Sequence, residues 1–299
     1  MHYTGTIWRP PYEASSLLLE VTVGCTHHKC KFCTLYDDIP FKFRMSPLED
    51  IEADLKEAKG QSRLWKHYKI HRTFLTGANP FILKGERLMA IADLIKKYFP
   101  ENWTIGCFSR ITDVALKTDT ELHELRAAGY DGLTIGIETG DDEALKFMNK
   151  GYVSADIVQQ CRRLDQAGIS YSFFYLTSIS GSGRGEEGAR LTAGVCNQLH
   201  PKLIGANMLT IYPESELYQE IQKGNWKEEG EIEKYKELRV LVENLSIPTV
   251  FAALGASNAI QMQGKLPDDR GKLLSILDEI IESVDEEELR KYRKNLPHL

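Results

Sequence analysis

Residues 17–33 read LLLEVTVGCTHHKCKFC. A short run of Leu and Val ends at Gly24, and Cys25, Cys30 and Cys33 follow as C-x4-C-x2-C. The apolar run reads as a strand buried on both faces, the kind found in parallel sheets. The cysteines read as a metal loop at that strand's carboxyl end. A structural zinc ion takes four protein ligands, so three thiolates leave one position open. Cluster irons are ordinarily held by cysteine thiolates, and three thiolates fit a cubane iron–sulfur cluster whose fourth iron accepts a small molecule. The other reading is a Cys3His zinc site completed by His27 or His28. Zinc knuckles and ribbons usually pair two short ligand motifs, and this chain carries one.

Outward from that stretch the pattern repeats. Ser46, Pro47 and Glu49 mark a helix start, and Leu48, Ile51, Leu55 and Ala58 line one face of a helix over 46–59. Later runs are 72–76 (RTFLT), 103–108 (WTIGCF), 133–137 (LTIGI), 172–177 (SFFYLT) and 205–211 (GANMLTI). Helices are expected between them at 85–98, 118–128, from Asp141, from Ser154, and at 186–199. Six strand–helix units in strict alternation imply a parallel sheet with right-handed crossovers. Such sheets bind ligands at the carboxyl ends of their strands. The cysteine loop, Gly77-Ala78-Asn79, Ser109-Arg110 and Glu138 all fall there. Periodicity leaves an open doubly wound sheet and an incomplete barrel as alternatives.

The 299 residues carry a net charge of −6, with 42% hydrophobic and 27% charged residues. These values describe a globular chain without the basic balance of a nucleic-acid-binding domain. No run approaches the 18 apolar residues of a spanning helix. The N-terminus, MHYTGTIWRPPYEASS, lacks the basic start and apolar core of a signal peptide, so the expected location is cytoplasmic. Thiols stay reduced there. Cys107, Cys161 and Cys196 sit on inward-facing positions and read as small apolar core residues.

The three-cysteine loop after a first strand, with Phe32 directly before Cys33, resembles the radical S-adenosylmethionine (radical SAM) superfamily. The usual spacing there is C-x3-C-x2-C, one residue shorter in the first interval. The stretch IGIETGDDEAL at 135–145 is similar to the branch holding the methylthiotransferases, the Elongator-type enzymes and the oxygen-independent coproporphyrinogen oxidases. The resemblance covers roughly 15–215. It implies an α/β fold, an incomplete (β/α)6 barrel of parallel strands with a C-terminal helical extension. An N-terminal segment over 1–14 precedes the partial barrel at 15–215, and the extension at 216–299 covers or flanks the site.

The resemblance further implies two cofactors, a [4Fe–4S] cluster on Cys25, Cys30 and Cys33 and S-adenosylmethionine on its open iron. Reductive cleavage of the sulfonium would give a 5′-deoxyadenosyl radical that takes hydrogen from an organic substrate. Phe32 would lie against the adenine. Gly77, Ala78 and Asn79 would stand where the family holds the methionyl amino group, without its common acidic residue. Ser109 and Arg110 would face the ribose or carboxylate, and Glu138 would be a polar contact. The expected partners are a small-molecule substrate and an electron donor such as flavodoxin or ferredoxin. No second cysteine cluster exists for a methylthiotransferase.

The remaining features are less specific. Arg110 can instead pair with Asp113 or Glu138, and SGSGRG at 180–185 reads as a flexible loop lacking a phosphate motif. Tyr175 and Tyr212 stand near strand ends, where core packing and substrate contact are both open. The acidic run 228–233 reads as a solvated face. An apolar run at 249–254, a loop at 255–269 that includes Asn258, and an amphipathic helix at 270–284 close the chain.

Overall fold

The computed structural model describes residues 1–62 and 69–295. The elements are β1 (Leu17–Glu20), β2 (Thr22–Gly24), β3 (Phe43–Met45), α1 (Leu48–Ser62), β4 (Arg72–Thr76), α2 (Gly85–Tyr98), β5 (Thr104–Ser109), α3 (Ile111–Ala115), α4 (Asp119–Ala128) and β6 (Tyr130–Glu138). They continue as α5 (Asp142–Phe147), α6 (Ser154–Ala167), β7 (Tyr171–Thr177), α7 (Gly185–Cys196), β8 (Leu203–Met208), α8 (Glu216–Gln222), α9 (Glu231–Asn244), β9 (Thr249–Ala253), β10 (Met262–Leu266), α10 (Arg270–Ser283) and α11 (Glu286–Lys294).

Eight strands form the main sheet in the order β1-β4-β5-β6-β7-β8-β9-β10. The first six of these are the six runs read from the sequence. Their order follows the chain without reversal. A doubly wound sheet reverses its strand order at a switch point, so the winding is that of a barrel, left open with β1 and β10 at its ends. Pairing is parallel for β1–β4, β4–β5, β5–β6, β7–β8 and β8–β9, and antiparallel for β9–β10.

Three expectations change. The first run is two strands: after Val21 the chain leaves the main sheet, and β2 pairs antiparallel with β3. The apolar run at 249–254 is a seventh parallel strand, and the segment 255–269 contains the edge strand β10. Ser46 does not cap α1 through its side chain, because its buried hydroxyl has no hydrogen-bond partner. The start of α4, by contrast, follows its sequence signal. Thr118 Oγ1 accepts from Glu121 N–H at 3.1 Å, and Glu121 Oε2 accepts from Thr118 N–H at 2.7 Å. Such a reciprocal cap satisfies two amide donors that helix geometry leaves open.

The chain divides into two compact units. The first comprises Met1–His28, Leu35–Ile135 and Arg163–Tyr171. Its core includes Leu19, Phe74, Leu75, Ile91, Cys107 and Leu133, each 0% exposed. The second comprises Lys29–Thr34, Gly136–Arg162 and Ser172–Leu299. Phe173, Ile204, Leu238, Leu241, Phe251 and Leu277 are fully buried there. Each such side chain contributes about 1.5–3 kcal/mol on leaving water. Among the described residues no helix is long and apolar enough to cross a membrane.

Candidate active site

The cysteine loop starts in the first unit. Gly24 has φ +81°, and a Cβ there would stand 2.3 Å from Lys42 O. Glycine therefore lets β2 turn against the β3 side, where Cys25 N–H donates to Lys42 O at 3.0 Å. His28 N–H donates to Cys25 Sγ at 3.4 Å. The His28 ring is engaged by Asp37, with Nε2 to Oδ1 at 2.7 Å.

One hydrogen-bonded chain ties this loop to the ends of β4 and β5. Asn79 is fully buried. Its Nδ2 donates to Thr26 Oγ1 at 2.8 Å and to both Asp113 oxygens at 3.2 Å. Asp113 Oδ2 also accepts Arg110 N–H at 2.8 Å. The Arg110 guanidinium donates to Thr112 Oγ1 at 3.0 Å, and Ser109 Oγ donates to Arg110 O at 3.0 Å. Asp113 is 0% exposed. Burial pushes its carboxyl up to about 6, against the opposing pull of the Arg110 amide and the Asn79 side chain. Asp113 thus holds both expected site segments, Asn79 and Arg110. Sequence reasoning named it only as a salt-bridge partner.

Gly77 follows β4 with φ +128°. A Cβ there would meet Thr22 Oγ1 at 1.9 Å and Thr22 O at 2.6 Å, so the end of β4 touches the backbone of β2. Ala78 is half-buried beside it. The glycine's requirement comes from the strand's own packing.

The second unit holds the remainder of the loop. Lys31 N–H donates to Met148 O at 3.2 Å, Leu217 N–H donates to Lys31 O at 2.7 Å, and Cys33 N–H donates to Cys30 O at 3.1 Å. Phe32 packs against the cluster of Met148, Ile179, Leu209, Leu217 and Trp226. Lys31 and Phe32 anchor the turn, while Cys30 and Cys33 stay half-exposed.

Glu138 ends β6 in the left-handed region at φ +62°, a costly conformation for a residue with a side chain. Its Oε1 accepts from Lys150 Nζ at 2.9 Å. Lys150 is 5% exposed, and its Nζ lies 5.8 Å from the Phe32 ring centroid and 5.6 Å from that of Tyr152. Burial alone would lower its pKa. The charges of Glu138, Tyr152 and Cys30 outweigh that and raise it. A fixed cation therefore stands within electrostatic reach of the Cys30 sulfur. No motif marks Lys150, and the signal available in the sequence was its nearness to the Glu138 segment.

The expected flexible loop 180–185 is tied down by Arg184, whose guanidinium meets Asp141 Oδ2 at 3.0 Å and also bonds Glu143. A cavity of about 780 Å³ opens beyond it, lined in part by Ser182, Tyr212, Glu229, Ser257 and Arg293. Burial first, then the Cys33 charge, raises the Tyr212 phenol, so this wall stands near the cysteine turn. Tyr175 faces the interior, where its hydroxyl donates to Glu237.

All six cysteines are thiols, and they fall into two sets: Cys107, Cys161 and Cys196 are buried, Cys25, Cys30 and Cys33 half-exposed. Burial pushes the Cys107 thiol up, and the Cys196 thiol up to about 12. The thiolate is the metal-binding form, so these two are poor ligands. Among the described residues no three His, Cys, Asp or Glu side chains group closely enough for a single ion. A cubane instead takes one thiolate per iron, and three of the six cysteines are half-exposed.

The profile of the radical SAM superfamily matches residues 19–186, more than half of the chain. The chain belongs to the radical SAM superfamily. It is a radical SAM enzyme, and its cofactors are those of the family, S-adenosylmethionine and a [4Fe–4S] cluster. A search of curated proteins finds no match. Among solved structures, TsrM from Kitasatospora setae is a radical SAM methyltransferase with cobalamin and a [4Fe–4S] cluster bound. It aligns at TM-score 0.53 and 17% identity, over 70% of this chain and 39% of its own. The cobalamin-dependent radical enzyme OxsB aligns at 0.51 and 18%, over 70% of this chain and 30% of its own. Methylornithine synthase, PylB, aligns at 0.52 and 15%, over 93% and 85%. The chain spans 39% to 53% of the length of TsrM and 30% of that of OxsB, and these likenesses show the fold.

Proposed function

We propose that this radical SAM enzyme binds one [4Fe–4S] cluster through Cys25, Cys30 and Cys33 and acts on a small organic substrate. Bound together, cluster and S-adenosylmethionine would supply reductive cleavage of the sulfonium to a 5′-deoxyadenosyl radical able to take hydrogen from that substrate. The observation that carries the reading is the division of the cysteines. Three lie in a loop with its amides and aromatic anchored and its sulfurs accessible, whereas the other three are sealed in the core.

The chain's own residues prepare this site. Asn79 and Asp113 hold the loop at Thr26, and Lys150 places a positive charge near Cys30. Phe32, Gly77, Ala78, Ser109, Arg110 and Glu138 are the proposed contacts to S-adenosylmethionine. The cavity beside Tyr212 is the proposed substrate chamber, with an electron donor such as flavodoxin or ferredoxin supplying the reductant from a cytoplasmic pool. Reconstitution without air tests the reading. The expected outcome is a brown protein with about four irons that releases 5′-deoxyadenosine with reductant and S-adenosylmethionine. A colourless protein holding one zinc, or a cluster whose reduced spectrum ignores S-adenosylmethionine, defeats it.

A further inference from the structure

Two carboxylates outside the cysteine site meet in the second unit. A Cβ built on Gly185 would lie 2.0 Å from Glu229 Oε1 and 2.7 Å from Glu237 Oε2, so both carboxyls converge on that glycine. Glu237 is 1% exposed and fully engaged, accepting from the Tyr175 hydroxyl and from Ser178 N–H at 2.7 Å. Glu229 is 5% exposed and lines the cavity, yet its Oε2 is buried without a hydrogen-bond partner. On the same cavity, Ser257 Oγ is also buried and unpartnered. Leaving such atoms unpaired costs about 1–3 kcal/mol each, and a ligand donor removes that cost. α11 lends the lining Arg290, which pairs with Glu286, Arg293, which pairs with Glu231, and Lys294 at its end, and Glu228, Glu231 and Glu233 line the same cavity.

We infer that this cavity takes a small zwitterion, its primary ammonium donating to Glu229 and its anionic group facing Lys294 at the end of α11. The inference rests on the radical SAM reading only in calling that ligand the substrate. Burial, then the neighbouring Glu237 charge, raises the Glu229 carboxyl, with Glu233 acting in the same direction and Lys234 opposing. Burial also raises Glu237, although the contacts from Glu229, Tyr175 and Ser178 and the Lys234 charge oppose it. Both shifts, with the hydrogen bond between the two carboxyls, favour a proton held between Glu229 and Glu237. An arriving ammonium replaces that proton, which leaves to buffer.

The test is calorimetry on the reconstituted full chain with ω-amino acids of roughly three to eight carbons, a span suited to a drug-sized pocket. Butylammonium and butanoate serve as single-charge controls. Titrations in buffers of different ionisation enthalpy should show release of about one proton per bound ω-amino acid at pH 7. Glu229→Gln should abolish the proton release and weaken binding roughly tenfold or more. Lys294→Gln, on an exposed helix end, should weaken the ω-amino acids and leave butylammonium unchanged, which keeps the test decisive should Glu229→Gln misfold. Absence of binding across the series, or binding without proton release, overturns the inference. Iron content and 5′-deoxyadenosine formation are read on the same preparation. Loss of those two alone counts against the radical SAM reading, and loss of zwitterion binding alone counts against this one.

Discussion

Replacing Asp113 with Asn removes the charge at the centre of the loop-anchoring chain. The carboxyl is 0% exposed, and burial lifts it from 3.8 to about 6. The folded state thus binds this proton more tightly than the unfolded chain does. The stabilisation is complete below the unfolded value and is lost as pH rises through the folded one. A rise of roughly two units corresponds to about 3 kcal/mol in full. The linkage relation leaves about 2 kcal/mol of it at pH 4.5 and almost none at pH 7.5. Asparagine cannot titrate, so Asp113→Asn lacks this slope. Urea unfolding of both metal-free chains, followed by tryptophan fluorescence at the two pH values, gives the difference directly. Glu229, Glu237 and the other carboxylates cancel because both proteins carry them. The wild-type chain should gain about 2 kcal/mol over the variant between pH 7.5 and 4.5. Parallel pH responses would refute the burial argument and, with it, the view that Asp113 is held ionised at neutral pH against a desolvation cost.

Gly77→Ala should destabilise the chain by about 1–3 kcal/mol, since a Cβ would collide with Thr22 O; thermal unfolding of the metal-free protein measures this, and an unchanged midpoint would show that β2 yields freely. Lys150→Met leaves Glu138 without its buried cation and should cost about 3–5 kcal/mol. The double variant with Glu138→Gln should recover part of that loss, and independent, additive losses in a double-mutant cycle would show that the pair is not coupled.

The strands of the parallel sheet were legible because none carries a fully exposed position, so their runs of Leu, Ile, Phe and Val needed no tertiary context. The run at 249–254 was visible for the same reason, but its place beside β8 depends on pairing residues 47 positions apart, as in Leu203 with Val250. β10 reads MQGKL, alternating buried and exposed at a sheet edge, and its Gly and Lys hid it inside a segment that looked like a loop. α3 is five residues long, too short to show a helical period. In the site, the cysteines were legible through spacing. Asp113 and Lys150 were not, because an Asp in ITDVA and a Lys in MNKGY look like surface residues until the fold buries them. At Gly77 the turn is easy to see in the sequence, and the strand that presses on it is not.

The turn carrying Cys30 and Cys33 is fastened by the main chain of Lys31 and by the ring of Phe32, none of which needs metal. Oxidative damage to the inorganic core should therefore leave a shaped receptacle rather than a collapsed segment. The chain's own contacts, rather than an inorganic centre, thus set the shape of this turn.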